Sequence, residues 1–303
     1  LLHAEPLTPT NVLDYRQARL ADGDLIRVVD DIKLTGDEIV LLARTGAGRS
    51  HIVFVQLSNR SMRSIPLDFK PGSHWLALNG DQVLLPQRSR DVKGKVHDTL
   101  ITLSRSGSVV AARQLPAPVE TILSDGSSLV AIQPDGAPSR LPQLSPPPNQ
   151  GTAFGRPAAT LSPAGEPIVI DCFDGRAVIY DKSVGQVSAQ WSIPEELRVV
   201  ALRKIGSIKG PRALMLNDVA VLSDGHILVN MSAGVKLSEG AEVLKLNRSG
   251  QLKERLRLTL PARDEYKNTH NLEGFMHPVM IETRGQSLFV ADRKGVIARY
   301  VFP

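Results

Sequence analysis

The chain has no second cysteine, no apolar run near the length of a membrane helix and no run of five like charges. It also has no methionine at its start and no sustained helical periodicity. Each absence narrows the reading. Cys172 is alone among 303 residues, so an internal disulfide is impossible and no disulfide framework holds the fold. It follows the aliphatic run Ile168 to Ile170 and has no adjacent histidine to favour a thiolate, so it is expected as a buried small hydrophobe at a strand end. Apolar residues never run to about 18 in succession, which excludes a membrane-spanning helix. The 36 Lys and Arg are scattered among 31 Asp and Glu; a net charge of +5 is small at this length, and nucleic acid is not an expected partner. The pI of 9.4 is a weak pointer to anionic partners. The signatures Gly-x-Ser-x-Gly, His-Glu-x-x-His and the phosphate loop are missing as well. A start at Leu1-Leu2-His3 points either to a removed leader or to a trimmed chain, and a secreted or periplasmic protein is expected.

What is present is a repeated β pattern. Asn217 to Leu258 holds four short aliphatic runs joined by three turn signals, among them Ser223-Asp224-Gly225 and Asn247-Arg248-Ser249-Gly250. The first of these turns recurs at Gly36, Gly80, Gly126, Gly165, Gly225 and Gly285, each followed two or three residues later by an aliphatic triplet. Glycine suits such a turn because a tight hairpin needs positive φ. The spacing, roughly 40 to 60 residues with four strands per interval, is that of a propeller blade. With 42% apolar residues and 24 Gly, the chain is too apolar for disorder. The expected fold is all-β: one six-bladed β-propeller domain over 1–303, with four-stranded antiparallel blades at about 30–67, 74–115, 119–150, 157–193, 217–260 and 278–303. The third blade loses its pattern around Ser145-Pro146-Pro147-Pro148, so its outer strands are expected to be short or frayed. The last blade has only three strands before Pro303, and Val12 to Leu20 is expected to close the ring as its outermost strand. Pro194 to Leu202 reads equally as a short helix or a strand lead-in.

Length variation falls on one rim. The long connections are Ser145 to Arg156, Glu195 to Leu216 and Ala262 to His277 between blades, with Gln87 to Asp98 and Ser232 to Gly240 between second and third strands. Loops displayed on a rigid scaffold are where binding concentrates. The starts of the inner strands on that rim supply Asp31, His74, Arg156, Asn217, Asp218 and His277, and the loop before the last blade adds His270 and Glu273. These eight are the candidate ligand-binding residues. Each taken singly is also explained by strand capping or turn chemistry.

His277 to Tyr300, HPVMIETRGQSLFVADRKGVIARY, resembles an NHL-type repeat. Asn217 to Asn230, NDVAVLSDGHILVN, resembles both that repeat and the SMP-30/gluconolactonase-like six-bladed propellers. The first resemblance implies a binding module. The second implies one divalent cation in the central channel, held by Glu, Asn and Asp ligands, and hydrolysis of lactones. Asn217 matches a ligand position of that group and Asp31 stands in for another, whereas His74, Arg156 and His277 depart from it and no glutamate opens the first blade. A hard cation wants an acidic oxygen cup, which Arg156 opposes. The expected function is noncatalytic binding of a protein partner or a small polar or anionic ligand on the long-loop rim. The alternative is a metal-dependent lactonase-like hydrolase, and a third reading is a lyase with His270 or His277 as base.

Overall fold

The computed structural model describes residues 5–16, 18–72, 75–126, 128–141, 157–172, 174–194, 197, 216, 218–231, 241–260 and 279–302. The protein is an all-β, six-bladed β-propeller whose strands form six sheets. They belong to two compact units, Leu1–Val12 with Phe154–Pro303, and Leu13–Ala153. Among the described residues no helix is long and apolar enough to cross a membrane.

Two N-terminal strands come first, β1 (Glu5–Leu7) and β2 (Asn11–Asp14). Blade one follows as β3 (Ile26–Thr35), β4 (Glu38–Thr45), β5 (Ser50–Gln56) and β6 (Met62–Pro66). Blade two is β7 (Ala77–Asn79), β8 (Gln82–Arg90), β9 (Val96–Leu103) and β10 (Val109–Gln114). In blade three β11 (Thr121–Ser124), β12 (Leu129–Ile132) and the three-residue β13 (Pro138–Arg140) are described, and residues 142–156 lie outside the described residues. Blade four is β14 (Pro157–Leu161), β15 (Pro167–Asp171), β16 (Arg176–Tyr180) and β17 (Val187–Ser192). Blade five is β18 (Asp218–Val221), β19 (Ile227–Asn230), β20 (Ala241–Leu246) and β21 (Leu252–Leu258), and blade six is β22 (Val279–Arg284), β23 (Ser287–Asp292) and β24 (Val296–Val301). All six aligned turn glycines have positive φ, from 51° to 86°. Second and third strands are the most deeply buried, because both faces of these blades meet apolar neighbours. Val40 and Leu42 of blade one pack with Val83 and Leu85 of blade two, and Ile168 and Ile170 of blade four with Val219 and Val229 of blade five. Cys172 lies in the second of these clusters, 1% exposed.

The N-terminal strand does join the last blade, in the order β2-β24-β23-β22, and Thr10 N–H donates to Arg299 C=O at 2.7 Å. It is shorter than the expected Val12 to Leu20. Asp14 ends it by accepting Arg16 N–H at 3.0 Å, and Ala18 N–H turns back to Tyr15 C=O at 3.0 Å. Upstream, β1 adds to blade five as a fifth strand, parallel to β21 with Glu5 opposite Leu256 and Leu7 opposite Leu258. The segment Pro194 to Leu202 lies outside the described residues except for Pro194 and Leu197.

Neighbouring blades are latched by two turns that are near-copies in sequence. In Asn247-Arg248-Ser249-Gly250, Arg248 pairs with Glu166, which follows the first turn of the preceding blade. Gly250, at φ 80°, lies against the indole of Trp191 on that blade's outer strand. In Ser104-Arg105-Ser106-Gly107 the same offsets recur within the other unit. Arg105 pairs with Glu38, and Gly107 lies against Ile65. Phe54 stacks under both Arg63, at 4.2 Å, and Arg105, at 5.3 Å, which adds a cation–π contact to that latch.

Candidate functional site

Midway along β3, where the sequence reading started the inner strand, the register shifts between Val29 and Asp31, leaving Asp30 as the extra residue of a bulge. The two adjacent acids then do different things. Asp30 takes the Arg44 guanidinium as a fork, at 2.5 and 2.7 Å. Asp31 is buried; its Oδ1 accepts Ile32 N–H at 2.8 Å and its Oδ2 accepts Leu76 N–H of the next blade at 2.8 Å, with Lys33 Nζ at 3.4 Å from Oδ1. Burial pushes its carboxyl above the usual range, against the opposing pull of Lys33 and the two amides. Asp218, at the start of blade five, repeats the device. Its Oδ1 accepts Val219 N–H at 2.9 Å and its Oδ2 accepts Ile281 N–H of blade six at 2.9 Å. Both carboxylates thus bridge the inner strand of one blade to that of the next.

A third acid, which the sequence reading did not single out, does related work. Asp98 on β9 is buried, takes Arg88 bidentately at 2.7 and 2.9 Å, and accepts Val119 N–H at the approach to blade three, 3.0 Å away. The only local signal was the cross-strand register that sets Arg88 opposite Asp98. Glu242 and Arg255 make a similar buried fork in blade five, at 2.6 and 3.0 Å.

Of the eight candidate ligand-binding residues, Asp31 and Asp218 are described. His74, Arg156, Asn217, His270, Glu273 and His277 lie outside the described residues, as does most of the long connections. Asp31, where the lactonase-like resemblance puts an oxygen ligand, directs both oxygens at backbone amides and does not fit an open cation ligand. Among the described residues no three His, Cys, Asp or Glu side chains gather as a metal site.

The opposite, short-turn end of blades four and five carries a groove of about 360 Å³ that the sequence reading passed over. Its polar lining includes Glu166, Arg248, Ser162, Asp224 and His226. Arg248 holds the Glu166 carboxyl below its usual range and also donates to Ser188 Oγ at 3.1 Å. Burial works against ionisation of Asp224, but the backbone and ring of His226, with Nδ1 at 2.9 Å, outweigh it and hold that carboxyl low. Both carboxylates of this groove thus face a partner within it, Arg248 for Glu166 and His226 for Asp224, so its walls are latch residues.

No protein-family model matches the chain, and no curated protein matches it. The NHL-type and lactonase-like resemblances therefore stand on the quoted residues alone. Among solved structures the chain is similar to virginiamycin B lyase from Staphylococcus aureus, at 11% identity and a TM-score of 0.52, over 97% of this chain and 99% of that one. It is also similar to BamB from Moraxella catarrhalis, at 14% identity and a TM-score of 0.47, over 98% of each chain. A third is BBS1N in complex with ARL6DN, at 10% identity and a TM-score of 0.49, over 99% of this chain and 98% of that one. At such identities the likeness to the lyase shows the fold alone, a six-bladed propeller along the whole chain.

Proposed function

We propose that the protein is a noncatalytic binding module. It takes a protein partner or a small polar, anionic ligand at the end of the blades where the long connections emerge. The observation that supports this is the asymmetry of connection length. First and second strands are joined by turns as tight as Gly36-Asp37, Gly80-Asp81 and Gly285-Gln286, whereas the opposite strand ends lead into 231–240, 193–217 and 259–278. Variation confined to one end of rigid antiparallel blades is the pattern of a displayed recognition surface. Asp31 and Asp218 hold the inner strands in place behind it. Arg156, Asn217, His270, Glu273 and His277 supply the contacts in one unit, and His74 in the other. A guanidinium at Arg156 offers a bidentate fork to a carboxylate or sulfate group.

The test is a thermal-shift screen of carboxylates and sulfated ligands, followed by titration of each hit against Arg156→Ala and Asn217→Ala. Hits should weaken by about tenfold or more in the variants, the scale of a lost charge-assisted pair. Intact binding in both variants, with loss on changing the turns at Gly36 or Gly80, would place the surface at the wrong end. Metal analysis of the purified protein decides the hydrolase alternative: one stoichiometric divalent ion released by Asn217→Ala would replace the binding reading.

A further inference from the structure

Blade two carries a surface that the inner-strand residues above do not use. Among the described residues β10 is the outer strand of its sheet and pairs only with β9. All six of its residues are exposed; Val109 and Val110 keep 60% and 55% of their surface. No other described strand is exposed along its whole length. Leu115 N–H donates to Asp98 C=O at 2.7 Å. Antiparallel pairs alternate between bonded and open, so Arg113 bonds β9 while Ala112 and Gln114 turn their N–H and C=O groups outward.

A free edge of this kind is a template for another strand. On three other blades the chain covers the outer strand itself, whereas β17 of blade four also stands at its sheet's edge. β1 lies on β21, β2 lies on β24, and Ala21 N–H donates to Ser64 Oγ of β6 at 2.7 Å. Blade five shows directly that a blade here accepts a fifth, extended strand.

The charge beside β10 selects the kind of strand. Residues 82–114 hold six basic side chains, Arg88, Arg90, Lys93, Lys95, Arg105 and Arg113, against Asp91 and Asp98, a net +4 within a chain whose total is +5. Arg88 and Arg105 are engaged with Asp98 and Glu38. Arg90, Lys93 and Lys95 are exposed on the β8–β9 hairpin with Val92 at its tip. The hairpin base is tied to β10 through Gln114 Nε2 and His97 Nδ1, 3.2 Å apart.

We infer that β10 is a docking edge for an extended acidic segment of a partner protein, which adds to blade two as a fifth strand. Its ladder runs on Ala112 and Gln114, its apolar side chains lie on Val109 and Val110, and its carboxylates meet Arg90, Lys93 and Lys95.

The probe is a short fluorescein-labelled peptide alternating valine with glutamate, read by fluorescence anisotropy on the full chain. Its control is the same peptide N-methylated at alternate residues, which keeps every charge and removes the ladder donors. The parent peptide should bind. N-methylation should weaken it about tenfold or more, as should Lys93→Glu combined with Lys95→Glu, since one or two hydrogen bonds or ion pairs are removed. Arg156→Ala and Asn217→Ala should leave it unchanged, which separates this surface from the one proposed above. Equal binding of the N-methylated peptide would reduce the effect to diffuse charge and overturn the inference. So would a concentration-dependent dimer in sedimentation that Ala112→Pro abolishes, because the edge would then take a second copy. Displacement of the peptide by a single-stranded oligonucleotide at lower concentration than by its unlabelled self would also overturn it, in favour of a nucleic-acid surface.

Discussion

Gly250 and Gly225 make a controlled pair for weighing the inter-blade latch. Both are turn glycines of blade five, at φ 80° and 86°. A Cβ on Gly225 would meet nothing within 4 Å, whereas one on Gly250 would lie 2.6 Å from Trp191 Cδ2 and 2.7 Å from its Cγ. Alanine at either position bears the cost of a left-handed backbone, about 1 to 2 kcal/mol. Only at Gly250 must an indole retreat by about 1 Å to restore ordinary carbon–carbon contact, an overpacking cost of roughly 1 to 3 kcal/mol. Gly250→Ala should therefore destabilise by about 2 to 5 kcal/mol and Gly225→Ala by about 1 to 2, against a typical total of about 5 to 15 kcal/mol. Urea unfolding followed by far-ultraviolet circular dichroism measures both. Trp191→Ala completes a double-mutant cycle: with the indole gone, Gly250→Ala should fall back to the Gly225→Ala value. Equal single effects, or a double variant with no relief, would mean that Trp191 does not sit on this turn.

Asp218→Ala strips acceptors from two backbone amides and should cost about 2 to 5 kcal/mol in the same urea assay, with Asp218→Asn in between; a loss under about 0.5 kcal/mol would deny it the bridging role. Because burial raises the Asp31 carboxyl above its unfolded pKa, its contribution is fully present below the ordinary carboxylate range and is lost as pH rises through the raised value. The stability margin of the wild type over Asp31→Asn should accordingly shrink with rising pH; a margin that grows instead would show that the amides and Lys33 outweigh burial. Removing the residues before Tyr15 takes away β1 and β2 together and uncovers the edges of β21 and β24, a loss of several kcal/mol from ladder bonds and buried Leu13; an unchanged melting temperature would contradict the pairing.

The strand framework was legible because its signals are local. A turn glycine and the aliphatic triplet behind it lie within a few residues of each other, and all six such turns have the required φ. β1 was not legible: Pro6 sits in its middle, and proline reads against a strand except at an outer edge of the kind it occupies beside β21. The acids were recognised as residues but not as devices. Asp31 and Asp218 look like open ligands until their amide partners, 45 and 63 residues away, are placed against them. The same distance problem hid the pairing of Arg105 with Glu38 and of Arg248 with Glu166, although the two Arg-Ser-Gly turns were visibly alike. Arg156, Asn217, His270, Glu273 and His277, which carry most of the binding proposal, fall outside the described residues, and their signal is the length of the connections that bear them.

The placement of β1 and β2 has a consequence for biosynthesis. Leu7 and Val12 leave the ribosome about 240 to 290 residues ahead of the strands that cover them, β21 and β24. At elongation rates of about 5 to 20 residues per second, the interval is roughly 10 to 60 s. Throughout it these side chains are uncovered next to emerging blades. The nascent chain must therefore keep an adhesive segment unpaired until β21 and β24 arrive, and polysomes that crowd several such chains together favour exchange of that segment between neighbours.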